Sequence, residues 1–259
     1  MAALGAAALV VLLLFPRCAL ADTRVLPGMP MYRWHVGCSP TAGGMVIGYW
    51  NDLDRFPFYY GDASVWDAGT QEMVEDIADF MGTNPSTGGT SAGGMINGLA
   101  AFAASDNPDT PEFCESVEAT ITTSWYRFGN DDVWADYIAE LEAHRPAMVN
   151  LSRSGGGHSV AGYGYLDNPG TSNDYFAVMD TWAPGLSSQG PPGAYIDGNG
   201  VEWWPWRPYD GTYNSTYDWR VDFQIALDAI PAAEPTTLVL LFTGGTMLLL
   251  RRRRPRRSG

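Results

Sequence analysis

No lysine occurs anywhere in the 259 residues, and cysteine and histidine occur only three times each. Between residues 22 and 234 the basic charge is eight arginines against 29 acidic residues, a formal charge of −21. A surface this acidic excludes nucleic acid and anionic lipid as natural partners and suits a soluble exported protein. The cysteines are Cys18, Cys38 and Cys114, too few for a disulfide framework. His35-Val36-Gly37-Cys38 has the spacing of a metal half-site, but zinc needs three or four ligands and no second pair exists. Asp131-Asp132, Asp167 and Asp197 to Asn199 could bind calcium, but none has convincing ligand spacing. No metal and no cofactor is therefore expected, and there is no internal repeat.

Long apolar runs are also missing, except at the two ends. Residues 5–15, GAAALVVLLLF, have the length of a signal-peptide core. Ala19-Leu20-Ala21 forms a small-x-small cleavage site before Asp22, although Arg17 follows the apolar run instead of leading it. Cys18 would leave with residues 1–21. From Thr236 to Leu250 a second apolar stretch is followed by RRRRPRR. As a helix it would be about 22 Å long, short of the hydrocarbon thickness of about 30 Å. A marginal or temporary span is expected, with the arginines cytoplasmic and the main domain outside. The roughly 210 residues between the ends suffice for one well-filled domain.

The first half of that domain reads as helical. Residues 38–50 carry Pro40 in an opening turn and then run almost wholly apolar, as a buried helix does. Met73, Val74, Ile77, Phe80 and Met81 form one helical stripe, and Met95, Ile96, Leu99 and Phe102 form another. Asp131 to His144 puts Val133, Trp134, Tyr137, Ile138 and Leu141 on one face and ends before Pro146. After Pro146 the period changes. PAMVNL, HSVAGYGY, YFAVMDTW and YDWRVDFQIAL are β-prone runs separated by turn residues. Helices followed by strands imply an α+β domain with a helical side packed on an antiparallel sheet.

Three residues at element edges could share one chemistry. Cys38 opens a helix, where the macrodipole and free backbone N–H groups favour thiolate and the same N–H groups can hold an oxyanion. Gly37 would let a substrate backbone approach, and Gly43 and Gly44 would let the helix pack closely. His158 opens a strand after Gly155-Gly156-Gly157, so its ring sits beside a stretch without side chains. Asp180 ends the next strand and can orient the imidazole, as the third member of a triad does. His144, beside Arg145, reads instead as a helix-end cation.

The stretches GCSPTAGGMVIGYW, GGGHSVAGYGY and YFAVMDTW resemble the cysteine, histidine and aspartate motifs of papain-like peptidases of the bacteriocin-processing type, and more closely their secreted stand-alone members. The resemblance spans roughly residues 30–225. It implies a papain-like α+β fold, Cys38 as nucleophile, His158 as base, Asp180 as its orienting acid, and a peptide or protein substrate. Such peptidases carry an oxyanion-hole glutamine about six residues before the cysteine, where this chain has Tyr32. Gln71, Gln189 and Gln224 lie far away in sequence, which leaves His35, Trp34 and the Cys38 N–H as oxyanion candidates. Gly156, Gly157 and Trp182 are candidates for the substrate cleft. Residues 231–259 are similar to a PEP-CTERM sorting tail, with Ala233-Glu234-Pro235, an apolar segment and arginines. That resemblance implies an exosortase-type partner at the envelope of a Gram-negative bacterium.

Other readings remain at this stage. Cys38 and Cys114 could form one disulfide, which export permits. Gly89-Thr90-Ser91-Ala92-Gly93 fits a nucleophile elbow, but no strand precedes it, and Ser91 reads as a helix N-cap. Trp203, Trp204 and Trp206, with Trp182, form an aromatic cluster that either packs around the sheet or walls a substrate cleft. Two functions therefore stand side by side: an exported cysteine peptidase, or a catalytically weak or inactive envelope protein binding peptide or glycan through an aromatic groove.

Overall fold

The computed structural model describes residues 21–52, 64–105, 117–126, 132–168, 173–182, 190–208 and 219–231. Residues 1–20, which include nearly all of the expected leader, the residues after 231, and Cys114 lie outside the described residues. Within them, no helix is long and apolar enough to cross a membrane. The elements in chain order are β1 (Asp22–Val25), α1 (Cys38–Asp52), α2 (Ala68–Phe80), α3 (Ala92–Ala103), β2 (Val117–Trp125), α4 (Val133–Glu142), β3 (Ala147–Arg153), β4 (Gly156–Asp167), β5 (Tyr175–Met179), β6 (Tyr195–Ile196), β7 (Glu202–Pro205) and β8 (Arg220–Pro231).

The strands form one eight-stranded sheet in the order β2-β8-β3-β4-β5-β7-β6, with β1 added to the far end of β4. Every pairing between these strands is antiparallel. Helices α1, α2 and α3 make the helical side, so the architecture is the α+β one expected. The expectation of a purely helical first half is corrected: β2, residues 117–125 (VEATITTSW), pairs along its whole length with β8. Its Val, Ile and Thr content is a strand signal. What the local pattern lacks is the partner, which lies about a hundred residues on.

Helix α1 is the centre of the helical side. Met45, Val46 and Ile47 are wholly buried, each contributing about 1.5–3 kcal/mol by leaving water. The small residues expected to allow close packing do so. A Cβ on Gly44 would lie 2.7 Å from Val74 of α2, and one on Gly48 would strike the Tyr32 hydroxyl at 2.3 Å. Helices α2 and α3 start on side-chain caps, from Asp67 and Ser91 respectively. The Ser91 hydroxyl accepts from the Gly94 N–H at 3.1 Å, which makes Ser91 an N-cap and removes the elbow reading.

Helix α4 lies against β4 through Tyr137, whose hydroxyl donates to the Gly164 carbonyl at 3.0 Å. A Cβ on Gly162 would come within 2.6 Å of that hydroxyl, and one on Gly164 within 2.6 Å of the Arg24 carbonyl of β1, which explains the glycines of GYGY. Trp203, Trp204 and Trp206 are buried, so this cluster packs around the sheet and does not wall a groove.

Candidate active site

The site forms where the N-terminus of α1 meets the beginning of β4. Cys38 is the first residue of its helix, so its N–H has no intrahelical acceptor and sits at the positive end of the helix. The approach to it is a tight turn in which Val36 adopts φ +52°. Thr41 holds that turn: its hydroxyl accepts from the His35 N–H at 3.1 Å and donates to the Gly37 carbonyl at 2.7 Å. A β-branched residue at positive φ is costly and persists only where its surroundings over-determine it. Gly37 serves a neighbour, not a substrate as expected, because a Cβ there would lie 2.7 Å from the Gly88 carbonyl.

His158 is buried, and its Nε2 donates to Asp180 Oδ1 at 2.8 Å, with no exposure of either side chain. Asp180 follows β5 directly, and the β4–β5 pairing carries it under the histidine. Trp182 stacks on the imidazole at 3.8 Å between centroids and 26° between planes. Its backbone N–H also donates to Asp180 Oδ1 at 3.2 Å. The ring is therefore fixed in plane and in rotation. Nδ1 has no partner within hydrogen-bond distance. With Nε2 committed, Nδ1 is the nitrogen that interacts with the Cys38 thiol, more loosely than a formed hydrogen bond. Contacts of this kind tighten when substrate binds.

Burial acts against ionising either group, raising the thiol pKa and lowering that of the imidazole. On Cys38 it is outweighed by the hydrogen bond and charge of His158, with help from the Ser159 backbone and the Ser39 hydroxyl, so the thiol lies below its ordinary value. On His158 it is outweighed by Asp180 and by Cys38, so the imidazole lies above its ordinary value. Both shifts act in the direction that favours a thiolate beside an imidazolium. Cys38 is a free thiol.

A cleft of about 810 Å³ opens over this pair. One wall is Trp34 with the loop from Thr87 to Thr90, and the other is Gly156, Gly157 and Trp182. A Cβ on Gly156 would meet nothing within 4 Å, so that side is open, as the glycine run implied. Trp125, Phe223, Arg153 and Asp222 lie farther along. Arg153 rests over the Trp219 ring, 4.2 Å from its centroid. The groove is thus partly aromatic, but its rings are Trp34, Trp125, Trp182 and Phe223.

The oxyanion candidates separate. Trp34 and Cys38 line the cleft, and Trp34 is 48% exposed. His35 does not line it: its imidazole is paired with Glu75 at 2.7 Å and packs edge-on against Trp66. Tyr32 is buried in the core against Trp66 and α1. Gln224 is buried within β8 and is not among the cleft residues. His144 ends α4 at φ +62°, 2.8 Å from Arg24, as a helix-end residue. Among the described residues no three His, Cys, Asp or Glu side chains converge on a metal position.

Three polar residues at the cleft floor escaped the sequence reading. Ser39, Ser159 and Asn150 are buried and joined by hydrogen bonds, on elements whose pairing only the fold defines. A family model described as Peptidase_C39 like family matches residues 27–191, an interval that contains Cys38, His158 and Asp180. The mixed helix and antiparallel sheet arrangement agrees with a papain-like α+β fold. No curated protein matches the chain.

Proposed function

The chain belongs to the Peptidase_C39 like family, and on that footing we propose that it is a cysteine peptidase working through Cys38, His158 and Asp180. The observation that carries this reading is the alignment of the buried His158 ring, the half-buried Trp182 ring and the Asp180 carboxylate behind a half-buried thiol at the cleft. The Cys38 thiolate attacks the scissile carbonyl carbon, and a sulfur–carbon bond forms. The Cys38 N–H, with the indole N–H of Trp34 from the same cleft as the second candidate donor, receives the developing oxyanion. The imidazolium gives its Nδ1 proton to the leaving amine as the carbon–nitrogen bond breaks. Water then gives a proton back to Nδ1 while its oxygen attacks the thioester, releasing the acid and the thiolate. Asp180 holds the ring throughout.

Hydrolysis of a quenched-fluorescent peptide pool tests this directly. Cys38→Ala should abolish turnover while the melting temperature stays nearly unchanged; unchanged turnover ends the enzyme reading. A second reading has one specific observation in its favour. Among the described residues no glutamine lines the cleft, so a scaffold that binds peptide without cutting it is the competing outcome.

We further propose that the protein is exported by residues 1–21 and processed at residues 231–259 by an exosortase-type enzyme in a Gram-negative envelope. This rests on the leader, the Ala233-Glu234-Pro235 motif, the short apolar segment and the arginines. Intact-mass measurement on protein from its native host should find residues after about Pro235 missing. RRRRPRR retained on the mature protein would leave a plain membrane anchor instead.

A further inference from the structure

Behind the cysteine runs a chain of buried polar groups that the triad does not use. Ser39 Oγ lies 4.0 Å from Cys38 Sγ and 2.9 Å from Ser159 Oγ. Ser159 Oγ in turn donates to Asn150 Oδ1 at 2.6 Å. Ser39, Ser159 and Asn150 are each at most 3% exposed. Successive side chains on β4 point to opposite faces. Ser159 therefore turns toward α1 and β3 while its neighbour His158 faces Asp180. The far end of the chain is unfinished: Asn150 Nδ2 is buried without a partner.

Proton counting gives this chain two possible directions. A serine hydroxyl donates one hydrogen, whereas an asparagine amide offers an acceptor on one end and donors on the other. As the structure stands, Ser159 gives its hydrogen to Asn150 Oδ1. Ser39 must then give its own to Ser159, and it presents only lone pairs to the sulfur. That direction suits a protonated thiol. A thiolate needs the reverse, in which Nδ2 donates to Ser159, Ser159 to Ser39, and Ser39 to sulfur. Turning the Asn150 amide by half a revolution makes this switch without breaking the chain.

We propose that Asn150 is a positioning residue whose amide sets the direction of the Asn150–Ser159–Ser39–Cys38 hydrogen-bond chain, so that the chain donates toward sulfur when Cys38 is a thiolate. The inference rests on the peptidase reading, because it assigns the chain a part in keeping the nucleophile ionised. Other charged groups also bear on the sulfur. His158, backed by Asp180, faces it from β4. Arg153 of β3 and Asp222 of β8 line the same cleft, and Glu202 of β7 interacts with Asp180. These groups keep their places in all the variants below, which alter only the chain.

The test is the pH profile of iodoacetamide alkylation at Cys38 in the full chain, read by peptide mapping, with circular dichroism to check folding. Ser39→Ala removes the last donor and should move the profile up by about one pH unit, the scale of one hydrogen bond to a charged group. Ser159→Ala frees the Ser39 hydroxyl for the sulfur and should not move it up. Asn150→Asp offers only acceptors once ionised, locks the chain in the wrong direction, and should move the profile up by one unit or more.

The double variant Asn150→Asp with Ser159→Ala keeps the new charge but cuts the chain. Its profile should return toward that of Ser159→Ala. If it keeps the whole Asn150→Asp shift, the effect is the carboxylate's charge alone and the proposal is overturned. Should the Asn150 variants not fold, equal profiles for Ser39→Ala and Ser159→Ala overturn it equally well. A wild-type thiol that titrates near the ordinary value of about 8.5 would remove the triad reading along with it. A wild-type thiolate whose profile no variant moves would remove the chain alone.

Discussion

The imidazole of His158 is held between an in-plane hydrogen bond from Nε2 to Asp180 at 2.8 Å and the face of Trp182 at 3.8 Å. Only Nδ1 is left for the thiol. Replacing Asp180 by Asn keeps the shape and loses the charge that favours this tautomer and the imidazolium. Residual peptide hydrolysis in Asp180→Asn should exceed that of Cys38→Ala or His158→Ala by roughly 10- to 100-fold, following the proportions of a serine triad. Steady-state rates on one peptide, measured for all three variants, check the order.

The paired pKa shifts predict a bell-shaped dependence of kcat/KM on pH. Cys38 is shifted below and His158 above its ordinary value, which favours the thiolate–imidazolium form at intermediate pH. Activity should rise as pH passes the lowered thiol value and fall as it passes the raised imidazole value. His158→Ala should move Cys38 alkylation to higher pH, because the imidazolium no longer favours thiolate. An unmoved alkylation profile in that variant would contradict the pairing.

Tyr32 stands where the resembling peptidases carry glutamine, yet it fills the space between Trp66 and α1. Tyr32→Gln should therefore not raise activity. Its expected effect is on stability, a loss of about 2–4 kcal/mol from the cavity and the buried amide. Urea unfolding of the variant measures this, and a gain in turnover would show that the position does reach the site.

Glu202 is buried beneath the triad, with its Oε1 accepting from the Trp204 indole N–H at 2.7 Å. Burial raises its pKa, the Trp204 bond opposes this, and the charge of Asp180 adds to the rise. A raised carboxyl pKa means that the folded state favours the protonated form. That contribution is fully present below the ordinary carboxyl range and is lost as pH rises through the folded value. Glu202→Gln keeps the acceptor for Trp204 and carries no charge. Its melting temperature should exceed the wild type's at pH 8 and match it at pH 4.

The candidate site was legible in the sequence because local pattern carries it. Cys38 lies at the head of an apolar helical run, His158 follows a glycine stretch, and Asp180 ends a β-prone segment. Periodicity likewise placed the four helices and strands β3, β4, β5 and β8, though not the short β6 and β7, and Ser91 declared itself a cap three residues before a glycine N–H. Segments of this kind are decided by neighbours three or four residues away, or by alternate positions along a strand.

Pairing across the chain is what the sequence leaves open. Strand β2 sits in the helical half and finds β8 only in the folded sheet. His35 could be weighed as an oxyanion donor until Glu75, forty residues on, took its imidazole. Ser39 and Ser159 are 120 residues apart and meet at 2.9 Å, so nothing local marks them as partners. Residue type and period are properties of short stretches, and they determined which groups could react. Burial, register and the direction of a hydrogen bond depend on which distant segments share a face. Only the tertiary structure decided which of those groups stand at the cysteine.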